Sequence, residues 1–324
     1  MFSRRFLVAM LGAALLASAC GGSGDASGTS PSGSAPISLS LEVASSDLAV
    51  GAPQHFELGI FSSDGQSVKL LSFGQMAFSF SFLGVGSQSP EPGPQATGTY
   101  VGAFGTQQSG STPAFTDPNV ARGVYQADVA FDKAGTWQVE ATLDVPGKGT
   151  QTLSAPFVVS QKHLLPAPGD HAQPTENLTV HSKGVPTAAI DSRALDGAPV
   201  PDPELHQWTI ADALAQHRPI VAIFSTPAFC VSIMCGPETD GVEALAKRYA
   251  DRAVFIHVEI WRNHQNSVVN KAASDWVCCN ETGDLTEPWL FLIGSDGVIK
   301  DRWGPLFDPA AVAKDLAQLP RMKP

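Results

Sequence analysis

The sequence predicts a multidomain chain in which an all-β sandwich is followed by an α/β domain. Two observations carry this. Across residues 37–160 apolar side chains recur at every second position, in short runs divided by Gly, Pro and Asp, which is the period of strands with one buried face. From residue 205 onward continuous apolar runs of strand length alternate with stretches of 3.6-residue period, the pattern of buried strands joined by helices. A third observation separates the two: residues 161–204 are rich in proline, have no period and read as a mostly extended linker.

Residues 1–20 read as an export signal. Arg4 and Arg5 supply a positive start, Phe6 to Leu16 form an apolar run too short to span a bilayer as a helix, and Ala17-Ser18-Ala19 precede Cys20. The pattern resembles a bacterial lipobox, which implies that Cys20 is lipidated and becomes the mature amino terminus. Ala17 stands three places before the cysteine, where that motif usually carries a larger aliphatic residue. An ordinary cleaved signal with an incidental cysteine is the other reading. Ser3-Arg4-Arg5-Phe6-Leu7 also resembles part of a twin-arginine signal, which implies export of an already folded chain. Residues 21–36 (GGSGDASGTSPSGSAP) form a flexible tether. The expected location is extracytoplasmic, periplasmic or at the cell surface, with a lipid on Cys20 as the membrane contact.

Within 37–160, strands are expected at 37–44, 54–62, 76–83 and 151–159. Tyr125, Ala127, Val129 and Phe131 alternate with outward positions. After the turn Asp132-Lys133-Ala134-Gly135, Trp137, Val139, Ala141 and Leu143 do the same, which predicts a hairpin with one buried face. Six to eight such strands imply a sandwich, similar in architecture to the immunoglobulin-like modules often fused to exported bacterial domains. The segment has no cysteine and a single histidine, His55, and reads as a spacer or interaction module.

Over 205–322 the elements fall in order. Thr209 caps a short helix to Gln216, with Asp212 three residues on. Pro219–Ser225 (PIVAIFS) is a buried central strand. Glu238–Asp251 is a helix with Val242, Leu245, Ala246 and Tyr249 on one face, and Ala253–Ile260 a second buried strand. A helix is expected at Ser267–Trp276. Trp289–Ile293 and Val298–Trp303 form a hairpin around Ser295-Asp296-Gly297. Asp308 caps a last helix that has Pro309 at its first position.

Helix, strand, helix, strand, helix, strand, strand, helix, with cysteines directly after the first strong strand and a proline opening the hairpin, resembles a thioredoxin fold over roughly 205–322. The loop reads Thr226-Pro227-Ala228-Phe229-Cys230-Val231-Ser232-Ile233-Met234-Cys235-Gly236-Pro237. Thioredoxins carry Trp-Cys-Gly-Pro-Cys there; here four residues separate the cysteines and Gly-Pro follows the second. In one regular helix, Cα atoms five residues apart sit roughly 8–9 Å from each other. A disulfide needs less than about 7 Å, so a bond between Cys230 and Cys235 requires at least one of them outside the helix. Pro237 suits a first helical position, with Gly236 as the cap and both cysteines before it. Cys235 then faces the positive helix end, while Cys230 holds the nucleophile's place in the family order; the sequence leaves the choice open.

What the resemblance implies follows from these positions. Pro288 takes the place of the family's cis proline beside the active-site cysteines, and Glu287 before it is a carboxylate that would raise a neighbouring thiol's pKa. The family's buried carboxylate on the central strand has no counterpart, since Ala222 and Ile223 occupy that stretch. His257 and Glu259 alternate on the next strand as a proton relay, ligands or a satisfied buried pair; His264 lies in the loop beyond. The four cysteines of this region allow three pairings. A 230–235 bond is expected, with Cys278 and Cys279 as free thiols, a resolving pair or metal ligands; a vicinal 278–279 bond needs a strained ring and is set aside, and a 235–278 cross-link is the competitor that would remove exchange chemistry.

The function expected is a membrane-anchored thiol–disulfide oxidoreductase using Cys230, Cys235 and Pro288, acting on protein thiols or disulfides with no cofactor. One rival is a Sco-like copper-binding or delivery protein, since thiolates favour Cu(I). The other is a non-catalytic binding module with a structural disulfide. A formal net charge of −11 and the lack of a Lys/Arg-rich stripe argue against nucleic-acid binding.

Overall fold

A computed structural model describes residues 37–84, 90–107, 109–110, 112–145, 149–278 and 285–322. The signal, the tether, Cys20 and Cys279 lie outside the described residues. Residues from Pro36 onward form one compact unit. It is mostly β-sheet with few helices.

The amino-terminal half builds nine strands among the described residues: β1 (Ser38–Val43), β2 (Gln54–Ser63), β3 (Val68–Ser72), β4 (Gln75–Gly84), β5 (Glu91–Gly102), β6 (Ala114–Thr116), β7 (Gly123–Val129), β8 (Gly135–Val145) and β9 (Gly149–Val159). They hydrogen-bond into one sheet of order β6-β3-β2-β7-β5-β4-β8-β9, with β1 on β2. In a flat sheet β2 and β4, three strands apart, would stand roughly 14 Å from each other. The rings of Phe56 on β2 and Phe80 on β4 nevertheless meet at 4.9 Å, and Phe56 also meets Phe157 of β9 at 5.0 Å. The sheet therefore rolls over its own apolar face, and that face is the core.

The expected 125–143 hairpin is corrected. Both runs are strands with the expected inward residues, but β7 pairs with β2 and β5, and β8 with β4 and β9. Alternation reports which face a strand buries, not which strand lies beside it.

The second sheet has the order β11-β10-β14-β15: β10 (Ile220–Ser225), β11 (Val254–Glu259), β14 (Trp289–Ile293) and β15 (Ile299–Trp303). β10 runs parallel to β11 and antiparallel to β14. Helices cover both faces, which explains why β10 is fully buried and reads as an unbroken apolar run. Ile220, Ala222 and Phe224 pack with α1 (Ile210–Ala215) and α3 (Lys271–Val277). Val221 and Ile223 pack with α2 (Cys235–Tyr249) and α4 (Pro309–Gln318). The side chain of Thr209 accepts from Asp212 N–H, and that of Asp308 from Ala310 N–H, so both expected caps form.

Two helix limits differ from expectation. α2 begins at Cys235, placing Pro237 at the third helical position; no first-turn N–H has an intrahelical acceptor, so proline fits any of these sites. Residues 267–269 are not helical: a 3₁₀ turn at His264–Asn266 and a two-stranded ribbon of β12 (Trp261–Asn263) and β13 (Val268–Val269) precede α3.

Residues 161–204 lie over the second sheet. Ala172 N–H donates to Gly297 O, and Asn177 Oδ1 accepts from Ile210 N–H at the start of α1. Asp191 and Ser192 are fully buried. The two halves meet through β15: Arg302 bonds the Asp47 carboxylate at 2.8 Å and the carbonyls of Pro166 and Asp47.

Candidate functional site

The site grows from the end of β10, where the strand stops at Ser225 and the chain turns through Thr226–Met234 into α2. Phe229 N–H donates to Thr226 O and Ile233 N–H to Cys230 O, two tight turns that fold the loop back. Ile233 has a φ of 57°, the left-handed region, where a β-branched residue is costly and must be held by its surroundings. Arg122 of the first half does so, donating from Nη1 to Ile233 O at 2.8 Å. Met234 packs against Ala103, Val124 and Leu306, joining the loop to both halves.

This folding brings Cys230 and Cys235 into a disulfide with a Cα–Cα distance of 5.9 Å. Cys230 sits in the loop and Cys235 is the first helical residue, so the geometric condition set by their spacing is met. Cys230 is half-buried, Cys235 is fully buried, and Val231 beside them is 95% exposed. Cys235 N–H donates to Cys230 Sγ at 3.3 Å. Ser232 Oγ lies 3.2 Å from the same sulfur. Thr239 Oγ1 donates to Cys235 O at 2.7 Å and lies 2.8 Å from Ser225 Oγ, tying the helix start to the strand end.

Pro288 is buried at the entry to β14, and the Glu287–Pro288 peptide is cis. A carboxylate oxygen of Glu287 and the two sulfurs all lie within 4.8 Å of one another. Burial first, and the charge of Glu259 second, push the Glu287 carboxyl up to about 7. An open cleft of about 470 Å³ runs along Val231, Leu285, Glu287, Pro288 and Trp289, with Ala44 and Ser46 of the first half on its other wall.

His257 and Glu259 are both buried on β11. Glu259 accepts from Ser192 N–H at 2.8 Å and from Trp261 N–H, and burial raises its pKa. His257 bonds Ser225 O at 3.2 Å and faces Asp191 and His206. His264 stacks on Phe229 with ring centroids 3.8 Å apart and planes 3° from parallel. Cys278 is disulfide-bonded, which corrects the free-thiol and thiolate-ligand expectations for it; with Cys230 and Cys235 bonded to each other, the 235–278 cross-link does not form.

Sequence reasoning missed Ser192 and Arg122. Ser192 Oγ accepts from Ala228 N–H at 3.1 Å and so links Glu259 to the cysteine loop. Both residues come from segments read as linker and spacer, and no local pattern marks a residue whose partner lies tens or hundreds of positions away. In comparisons with protein-family models, curated proteins and solved structures, nothing matches this chain.

Proposed function

We propose that the chain is a thiol–disulfide oxidoreductase whose exchanging pair is Cys230 and Cys235, on a thioredoxin-like domain exported and tethered through Cys20. The sheet order β11-β10-β14-β15, with β10 parallel to β11 and antiparallel to β14, supports the fold reading. Cysteines after β10 and cis Pro288 before β14 support the site reading. One observation carries the chemistry: a reachable sulfur, Cys230, is bonded to a buried one at a helix start whose N–H points at it.

In the exchange, a substrate thiolate attacks Cys230 Sγ and forms a mixed disulfide, and Cys235 Sγ leaves as a thiolate that takes up a proton. A second substrate thiol then displaces Cys230, so one substrate disulfide forms and two cysteine thiols remain; the reverse order reduces a substrate. The N–H of Cys235 and the helix end stabilise the Cys230 thiolate. The cleft beside Pro288 offers a place for the substrate chain. A first half that grips the loop through Arg122 and Met234 acts as a positioning element.

The copper reading uses the same sulfurs. Among the described residues the donor group that includes them is Cys230, Cys235 and Glu287, without a histidine; a carboxylate is a harder ligand than imidazole and suits Cu(I) less. Exchange is therefore the leading function. Equilibration of the purified chain with glutathione buffers tests it: a reduction potential more negative than about −300 mV would mark an inert, structural bond.

A further inference from the structure

A second constellation lies behind the cysteine loop, in the core. Asp191, His206 and His257 are all fully buried, and come from the proline-rich segment, the 3₁₀ turn Pro203–His206 and β11. One oxygen, Asp191 Oδ2, lies 3.4 Å from His206 Nε2 and 3.4 Å from His257 Nδ1, and those two nitrogens are 3.4 Å apart.

Three equal edges of this length are poor hydrogen-bond geometry. Buried charge-assisted bonds close to about 2.7–2.9 Å. The same carboxylate reaches that range elsewhere: Arg193 Nη2 donates to Oδ2 at 2.7 Å and Nε to Oδ1 at 3.0 Å. The imidazoles are thus held off an oxygen that the guanidinium approaches closely. A point equidistant from the corners of such a triangle lies about 2.0 Å from each, which is the bond length of zinc to imidazole nitrogen or carboxylate oxygen.

The lone pairs are arranged for the same purpose. Ser225 O can only accept, so His257 Nε2 carries a proton toward it, and in the neutral ring Nδ1 is then a bare lone pair turned to Asp191 and His206. A carbonyl fixing the tautomer of a ligating histidine is the usual outer partner of a metal site. Among the described residues His206 Nδ1 has no hydrogen-bond partner, which leaves its Nε2 as the nitrogen committed to the centre. Arg193, bridged on to Asp202 at 2.7 Å, anchors the carboxylate from behind.

We propose that Asp191 Oδ2, His206 Nε2 and His257 Nδ1 form a binding site for one divalent transition-metal ion of the zinc type. The donor set is two borderline nitrogens and one oxygen, which suits zinc and its first-row neighbours rather than Cu(I) or calcium. Among the described residues no fourth His, Cys, Asp or Glu belongs to the group, so a solvent oxygen would complete a tetrahedral shell. Burial means the ion enters as the chain folds, and it pins the 187–206 segment to the sheet. Ser192, next to Asp191, passes that restraint to Ala228 of the cysteine loop. The site shares no ligand with the disulfide, so it stands or falls apart from the exchange reading.

The test uses the untagged, disulfide-intact chain, stripped with a chelator in denaturant, refolded with Zn²⁺ or Co²⁺ present, desalted, and assayed for bound metal and, in the cobalt form, by absorption. The expected result is one equivalent bound. The cobalt form should show tetrahedral visible bands without thiolate charge transfer, and the thermal midpoint should rise. His206→Gln and His257→Gln should each weaken binding by at least about 100-fold, while Cys230→Ser plus Cys235→Ser leaves it unchanged. If either histidine variant misfolds by circular dichroism, the wild-type cobalt spectrum decides. No uptake by the wild type refolded at 100 μM metal, or a sulfur-containing shell, would overturn the site and leave a proton-bridged Asp–His–His network.

Discussion

Cys235 N–H donates to Cys230 Sγ across the first turn of α2, at 3.3 Å. The two ends of the disulfide are therefore not equivalent: the half-buried sulfur receives the hydrogen bond and the buried one sits on the helix that supplies it. A thiolate is better tolerated on Cys230 than on Cys235.

That asymmetry gives the first prediction. Cys230→Ser should reduce exchange with a model protein disulfide to the uncatalysed background. Cys235→Ser should instead accumulate a mixed disulfide through Cys230, read by mass spectrometry under non-reducing conditions. Equal trapping by both variants would refute the assignment.

Glu287 sits with the sulfurs and its carboxyl is raised to about 7, burial being the larger cause. Below that pH it is neutral; above it a negative charge opposes the neighbouring thiolate. Glu287→Gln should lower the Cys230 thiol pKa by about one unit and speed exchange most above pH 7. Thiolate absorbance at 240 nm against pH on reduced protein measures this, and an unshifted curve would show that the carboxylate does not act on the thiol.

Two further carboxyls lie where the halves of the molecule meet. Glu57 of β2 and Glu238 of α2 are both buried, and burial raises each to about 8. Gln126 donates to Glu57 Oε1 at 2.7 Å, and Glu238 accepts from Phe307 N–H. An unfolded carboxyl ionises near 4.5, so between 4.5 and 8 the folded chain holds protons that the unfolded chain sheds. Stability from these groups is complete below that window and is lost as pH rises through it. Glu57→Gln keeps an amide oxygen as acceptor and removes the titration. It should reduce the stability loss between pH 5 and pH 8 by on the order of 2 kcal/mol in urea unfolding. An identical slope in the variant would place the proton elsewhere.

His55 also joins the halves, and its contribution is lost in the same direction, as pH rises. Its Nδ1 bonds Asp128 at 2.7 Å, its Nε2 lies in ion-pair range of Asp301 on β15, and its ring stacks on Trp303. Burial lowers its pKa, but the bond to Asp128 and the field of Asp301 outweigh that and raise it to about 10. Its contribution is present below 6.5 and fades as pH climbs through 10. Because Asp128 is largely exposed, His55→Ala should cost only about 1 kcal/mol at pH 7 by thermal unfolding, and less at pH 10.5.

Arg122 holds Ile233 O from across the interface. Arg122→Ala should leave the fold intact while hydrogen exchange at Met234 and Cys235 rises roughly five-fold, the equivalent of about 1 kcal/mol of lost hydrogen bonding. Unchanged protection would mean that the loop holds itself.

Much of this molecule is determined by its sequence alone. The unbroken apolar run at 220–225 reads as a strand covered on both faces, and the Asp308-Pro309 pair as the opening of a helix, and both form; each is local chemistry acting on local backbone. A bond between Cys230 and Cys235 required at least one of them outside the helix; Cys230 is outside, while Cys235, expected before a Gly236 cap, is the first helical residue. The tertiary structure alone decided which strands pair, so 125–143 is two strands of one sheet and not a hairpin. It alone put Ser192 and Arg122 on the cysteine loop and Asp191 between two histidines. The reason is physical: alternation and capping depend on neighbours a few residues away, whereas these contacts exist only after loop closure joins residues from 15 to 111 positions apart, and no local pattern encodes that distance.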